Sequence, residues 1–242
     1  MKPDLSPTAA PRPELSVVIP FYNEADNVGP LLQELRETLA RLGASAEVVV
    51  VNDGSVDGTG AVLDAWAADW GALRVEHVLR NQGQAAALLR GFEVARGAWF
   101  AMLDGDGQNP PAELARLWEL RNTADMIAGA RQGRRDSWLR RGMSRVANLV
   151  RGAVLRDGVT DTGCSLKVFR RDVARTFLPI RTMYSFLPAF AVAAGYAVRE
   201  VPVGHRPRRA GTSKYGFGAM AVLPLLDLVA LCWILRRSVR RR

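Results

Sequence analysis

The chain has 242 residues, just under half of them hydrophobic, enough for one substantial core and at most an appendage. A net charge of +9 and a pI near 10.5 call for an anionic partner: nucleic acid, a phosphorylated substrate or a membrane surface. The two cysteines, Cys164 and Cys232, form no metal or redox pattern, which suits a reduced, cytosolic setting.

Residues 1–14 hold four prolines and no apolar run, and read as a flexible tail rather than a signal peptide. Ser16 to Pro20 is a short apolar strand delivering Tyr22, Asn23 and Glu24 to a loop. Leu31, Leu32, Leu35, Leu39 and Leu42 then recur at helical spacing. A second strand from Glu47 ends at Asn52-Asp53-Gly54, and a helix carrying Leu63 and Trp66 follows. Arg74 to Leu79 is a third strand, and Asn81 to Gln84 opens an alanine-rich helix. The fourth strand, Ala98 to Leu103, runs into Asp104-Gly105-Asp106-Gly107-Gln108-Asn109-Pro110-Pro111.

Strands without alternation, separated by helices, imply a parallel sheet buried on both faces. Ligands of such sheets bind beyond the carboxyl ends of the strands, where Tyr22, Glu24, Asp53 and Asp104 all fall. Asp104 and Asp106 offer oxygens to a hard divalent cation, Mg2+ or Mn2+, although Asp-Gly is also ordinary turn chemistry. No Gly-x-Gly-x-x-Gly and no P-loop is present, so phosphates fall to metal and basic side chains.

Val17 to Glu24, Val50 to Thr59, Asn81-Gln82-Gly83 and Asp104 to Pro111 together resemble, in order, the signatures of family 2 glycosyltransferases. The resemblance spans about Leu15 to Arg237 and is narrowest to the polyprenyl-phosphate glycosyltransferases, of the dolichol-phosphate mannose synthase kind. It implies an α/β, Rossmann-like GT-A fold with a mostly parallel sheet flanked by helices. It also implies inverting transfer from a GDP- or UDP-sugar. Mapped by motif, Pro20, Tyr22, Glu24, Val51 and Asp53 border the nucleoside, and Asp104 and Gly105 lie against the nucleotide. Asp106 and Gln108, with Asp104 as a further candidate, ligate the metal that bridges the diphosphate. Arg131, after the strand from Asp125, contacts the diphosphate.

The segment from Asp161 to Arg171 resembles the acceptor side of the family's cleft, with Lys167 standing where many relatives have arginine. Arg208, Gly211, Ser213 and Lys214 meet the family's Arg-x-x-Gly-x-Ser-Lys pattern. A Gly-hinged basic loop there can close on the donor diphosphate and the acceptor phosphate, with Arg208 and Lys214 acting catalytically beside Asp106. Ser185 departs from the arginine of many bacterial relatives, which leaves the donor sugar open.

Sugar hydroxyl acceptors usually require a general base, and relatives that use them carry a Glu-Asp pair or a Gln-x-x-Arg-Trp segment, neither found here. A phosphate monoester is already ionised at neutral pH and needs no base. A polyprenyl phosphate is therefore the expected acceptor, with another membrane lipid or a glycan as the alternative. A basic nucleic-acid-binding protein would explain the charge but not the ordered acidic motifs, so nucleic acid is not an expected partner.

Residues 15–215 are read as the catalytic domain and 216–242 as an amphipathic, basic membrane-associating segment. Its apolar run is interrupted by Gly218, Pro224 and Asp227 and followed by arginines. The expected location is the cytoplasmic face of the membrane, held there peripherally or by a membrane-anchoring subunit.

Overall fold

In a computed structural model, the structure describes residues 12–132, 152, 155, 157–208, 227–234 and 237. Seven strands form one sheet in the order β3-β2-β1-β4-β6-β5-β7. They are β1 (Leu15–Phe21), β2 (Ala46–Asp53), β3 (Leu73–Val78), β4 (Trp99–Met102), β5 (Met126–Arg131), β6 (Lys167–Arg170) and β7 (Val198–Val203). The pairs β3-β2, β2-β1, β1-β4 and β5-β7 are parallel, while β6 runs antiparallel to both β4 and β5. The sheet is thus mostly parallel, with one reversed strand in its interior.

The helices are α1 (Ala25–Leu42), α2 (Thr59–Asp69), α3 (Gln84–Val94), α4 (Ala112–Glu119), α5 (Arg171–Ala174) and α6 (Leu187–Ala193). They cover both faces, which is why the central strands are apolar at nearly every position rather than at alternate ones. On one face Val17, Ile19, Val48 and Val50 meet Leu31, Leu32 and Leu35 of α1, Leu63 of α2 and Leu114 of α4. On the other, Val18, Val49, Phe100 and Phe169 meet Leu88 and Phe92 of α3 and Phe190 of α6. Phe92 stacks on Phe100 at 5.8 Å and meets Phe169 edge-on at 5.5 Å. Both geometries add to the area these rings bury.

At the amino ends of the strands, buried Glu47 ties three segments together. It accepts from Ser16 Oγ at 2.6 Å, from the Arg96 amide at 2.5 Å and from Arg96 Nε at 3.0 Å. This end carries structure; the carboxyl end carries the site.

The order β2-β1-β4 places a topological switch between β1 and β4, because the chain leaves β1 toward β2 and returns later on its other side. A crevice must open there. Among the described residues no helix is long and apolar enough to cross a membrane. The stretch 227–234 is helical, burying Leu228 and Leu231 against the α3 face while Val229 and Trp233 stay exposed. The rest of the expected membrane segment, and most of the expected amino-terminal tail, lie outside the described residues. Pro13 and Glu14 are tied down, to Ala98 and Ser45 respectively.

Candidate active site

The β1-α1 loop is held in place by the β2-α2 loop. Asn23 sits at φ 51°, a left-handed conformation that asparagine tolerates better than most residues. Its amide donates to Ser55 Oγ at 2.9 Å, and its side-chain oxygen accepts from the Val56 amide at 2.8 Å. The Glu24 amide donates to Thr59 Oγ1 and the Ala25 amide to Asp57. Burial works against the Asp57 charge, but hydrogen bonds from Thr59 and Ala25 outweigh it and hold the carboxyl below its ordinary range. The run from Asn52 to Thr59 is therefore a clamp that aims Glu24, a job the sequence did not reveal for Asp57 or Thr59.

Asp53 ends β2 with a carboxylate almost wholly buried. It accepts from the amides of Gln82 and Gly83, each at 2.8 Å, and from Asn81 Nδ2 at 2.9 Å. Its immediate work is to fold the loop before α3 into the rim of the crevice. That loop brings Gln84 to Asp104, Nε2 to Oδ1 at 2.6 Å.

The Asp104–Asn109 turn follows β4. Gly105 has no room for a side chain: a Cβ would come within 2.6 Å of the Phe21 ring and 2.8 Å of the Pro20 carbonyl oxygen. The glycine lets the acidic turn lie directly against the end of β1. Asp106 Oδ1 accepts from the Gln108 amide at 3.0 Å, and Oδ2 from Arg208 at 2.9 Å. Arg208 also reaches Glu24 Oε1 at 3.2 Å, so its guanidinium bridges the two acids across the crevice.

Behind the turn lies a buried polar cluster. Burial and the Asp106 charge push the Asp104 carboxyl up to about 6, against the pull of Ser165, Lys167 and Arg131. Lys167 is fully buried in β6 with its ammonium on the Cys164 carbonyl, and burial depresses its pKa. Arg131 is locked to Asp161 through two hydrogen bonds of 2.8 Å, one each from Nε and Nη2. Burial disfavours that cation too, but Asp161 outweighs the effect and raises its pKa.

The resulting cleft is lined by Pro20, Phe21, Tyr22, Glu24, Asp53, Asn81, Gly83, Gln84, Asp104, Gly105, Asp106 and Arg208. Eight of these, Pro20, Tyr22, Glu24, Asp53, Asp104, Gly105, Asp106 and Arg208, are positions the motifs singled out. Four motif positions are placed elsewhere. Val51 is fully buried and packs toward Gly91 of α3, so its side chain does not border a nucleoside. Lys167 is shut off from solvent, and so does not present its charge to an acceptor phosphate. Arg131 spends its guanidinium on Asp161 and acts on the cleft only as a charge behind Asp104. Gln108 shapes the turn through its backbone and does not line the cleft. Ser213 and Lys214, with Gly211, lie outside the described residues. Asn81 and Gln84, in and just after one of the motifs, also line the cleft, where the motif reading assigns no site residue.

A divalent cation fits this donor set. Asp104 and Asp106 are hard oxygen ligands, and Asp106 already neutralises a cation, the Arg208 guanidinium. Among the described residues no three His, Cys, Asp or Glu side chains converge as a complete cage. Two carboxylates completed by substrate phosphates and water are the usual arrangement for Mg2+.

An α/β crevice with an acidic turn at its switch point and an arginine across it is the chain's candidate site, and comparison with known proteins gives its family. The family model for glycosyl transferase family 2 matches residues 16–178, and the chain belongs to that family. It is 36% identical over 217 residues to undecaprenyl-phosphate 4-deoxy-4-formamido-L-arabinose transferase of Edwardsiella ictaluri, covering 89% of this chain and 66% of that protein. To dodecaprenyl-phosphate galacturonate synthase of Rhizobium johnstonii it is 34% identical, over 94% of this chain and 69% of the relative. It thus spans about two thirds of the length of these curated relatives.

Among solved structures, a Pyrobaculum calidifontis mannosyltransferase in complex with GDP-Man and Mn2+ superposes with a TM-score of 0.66 at 21% identity, over 96% of this chain and 67% of that one. Glucosyl-3-phosphoglycerate synthase from Mycobacterium tuberculosis, with Mn2+, UDP and phosphoglyceric acid, gives 0.70 at 20% identity, over 91% and 78%. These likenesses establish the GT-A arrangement of the sheet.

Proposed function

We propose that the protein transfers a sugar, with inversion, from a GDP- or UDP-sugar to a polyprenyl phosphate at the membrane surface. The observation that carries this reading is the convergence of Glu24, Asp53, Asp104 and Asp106 on one cleft with Arg208 reaching across it. The polyprenyl-phosphate transferases at 34% to 36% identity support the choice of acceptor.

In this reading Asp53 and the loop it holds, with Tyr22 and Glu24, seat the nucleoside, and Gly105 keeps the acidic turn close against it. Asp104 and Asp106 hold Mg2+ or Mn2+, which supplies Lewis-acid neutralisation of the leaving diphosphate when bound. An acceptor phosphate oxygen forms the new bond to the anomeric carbon from the face opposite the diphosphate. The old carbon-oxygen bond breaks with its electron pair going to the diphosphate. No proton has to move, because the acceptor phosphate is already ionised at neutral pH. Two anionic substrates must nevertheless meet. Arg208, with Ser213 and Lys214 of the same segment, offsets that repulsion and steadies the charge that develops.

Membrane contact follows from the acceptor. The exposed Val229 and Trp233 on the helical stretch 227–234, with Arg237 5.2 Å over the Trp233 ring, suit a headgroup interface. Peripheral attachment at the cytoplasmic face, alone or through an anchoring subunit, is part of the same proposal.

The test is an acceptor panel: polyprenyl phosphate, the same polyprenol without phosphate, and 3-phosphoglycerate, each with a set of UDP- and GDP-sugars and Mn2+. Product from polyprenyl phosphate alone supports the proposal. Equal product from the free polyprenol, or product from 3-phosphoglycerate alone, refutes it.

A further inference from the structure

Gly204 to Arg208 leaves β7 and crosses the acidic turn as a strap. Its central residue is Arg206, which no sequence motif singled out and which does not line the cleft. Arg206 makes contacts to two other elements at once. Its backbone amide donates to the Gln108 carbonyl at 3.0 Å, and its Nε donates to the Gly107 carbonyl at 2.6 Å. Its terminal nitrogens pair with Glu34 of α1, Nη1 to Oε1 at 3.1 Å and Nη2 to Oε2 at 2.9 Å.

Those two carbonyls belong to the residues directly after Asp106. Gly107 takes a left-handed backbone at φ 69°, the sharp point of the turn. Within and after the turn, the Gln108 amide donates to Asp106 Oδ1 at 3.0 Å and Asn109 Nδ2 to Ser165 Oγ at 2.7 Å, but neither contact engages the two carbonyls. The Arg206 backbone holds the second plane, and its side chain holds the first and braces it against α1, the helix that begins just after Glu24. Two residues further on, Arg208 meets Glu24 and Asp106 themselves.

We infer that Arg206 is a positioning residue for the proposed metal site: it sets the 106–108 turn so that the Asp106 carboxylate, and Arg208 beyond it, keep their aim into the cleft. The inference rests on the reading of Asp106 as a metal ligand. Only a guanidinium serves here, because its fixed fork reaches a carbonyl with Nε and a carboxylate with both terminal nitrogens. A lysine ammonium cannot span the same three acceptors. The Arg206-Glu34 pair is a quarter to a third exposed, so its loss costs little global stability. Its effect falls on geometry, as for residues that orient metal ligands without touching the metal.

The test measures Mn2+ binding to the full chain in the presence of UDP and of GDP, by loss of the free-ion electron paramagnetic resonance signal. Wild type is compared with Arg206→Lys, Arg206→Met, Glu34→Gln and Asp106→Asn, with thermal melting and steady-state kinetics on each. Both Arg206 variants are expected to bind Mn2+ roughly tenfold or more weakly. They should also lose kcat more than they raise donor KM, at near-wild-type melting temperature, with lysine no better than methionine. Glu34→Gln removes only the brace and shows a smaller loss in the same direction, which keeps the test alive should an Arg206 variant fold poorly. As a control, Arg36→Lys, in an exposed pair with Asp69 on the far side of α1, leaves every readout unchanged.

Wild-type Mn2+ affinity in the Arg206 variants and in Glu34→Gln overturns the inference, as does a loss that merely follows a fall in melting temperature. If Asp106→Asn keeps its Mn2+ affinity, the metal-site reading itself is wrong. If Asp106→Asn loses it while the Arg206 variants keep it, only the positioning role fails.

Discussion

Arg208 and Asp106 neutralise one another at 2.9 Å, and that contact sets up a competition. A cation bound by Asp106 competes with the guanidinium for the same negative charge and loosens its hold, which leaves Arg208 more available to phosphate. Arg208→Ala should therefore bind Mn2+ at least as tightly as wild type when no donor is present, while losing turnover by roughly 10²-fold or more. Titration of Mn2+ alone, set beside kcat, checks the pairing; weaker Mn2+ binding in this variant would contradict it. Gly105 makes the complementary point about space. An added methyl would meet the Pro20 carbonyl at 2.8 Å, and that atom is backbone, so the acidic turn has to retreat. Displacements on the ångström scale cost about 10²-fold in rate. Gly105→Ala is expected to fall by that order in kcat/KM with its far-UV circular dichroism unchanged, and wild-type kinetics would refute the close-packing argument.

At the scale of elements, the two ends of the sheet divide the labour. The amino end is held by Glu47, whose ionised form is opposed by burial but favoured more strongly by Ser16 and Arg96, so its pKa lies below 4.5. The sign follows from that depression. The stabilisation is complete above the unfolded value and disappears as pH falls through the lower folded one. Glu47→Gln should cost about 1–3 kcal/mol near neutral pH, and should flatten the acid limb of a stability curve measured by denaturant titration between about pH 3 and 7. A variant as stable and as pH-dependent as wild type would remove Glu47 from this role.

The apolar runs of β1, β2 and β4 are legible because burial on both faces writes itself as nearly unbroken hydrophobicity. The strand β6 was not, since four residues beginning with lysine and ending with arginine carry no such signature. Only pairing with β4 and β5 reveals it. The motif match makes Lys167 an expected acceptor contact, but the strand places it opposite Met102 and Ala128 with its side chain fully buried. The Val51 side chain goes with Val49 toward α3 by pleat parity, whatever its place in the motif. Asp53 shares that parity but ends the strand, where it escapes the core.

At the scale of the whole molecule, strand order converts separate motifs into one cleft. Glu24, Asp53 and Asp104 are far apart in sequence, and each alone is an unremarkable loop acid. The switch between β1 and β4 brings them to one rim, and the strap after β7 delivers Arg208 to the same place. The sequence made the acids legible because they end apolar runs. It marks Arg131 but hides the pairing with Asp161, thirty residues away, that absorbs its charge, and it hides Arg206, whose value lies in two backbone carbonyls that no side-chain motif encodes. The basic excess, +9 over the chain, fits a protein whose proposed substrates are both anionic and whose proposed acceptor sits in a membrane.

In the proposed reaction Asp106 is the group that makes sugar transfer depend on a divalent cation. The most direct measurement is turnover of a nucleotide-sugar onto polyprenyl phosphate as a function of Mn2+ concentration, for wild type and Asp106→Asn. Wild type is expected to give a product that chelator abolishes, and the variant a loss of roughly 10²-fold or more at saturating Mn2+. Full metal-dependent turnover by Asp106→Asn would contradict it.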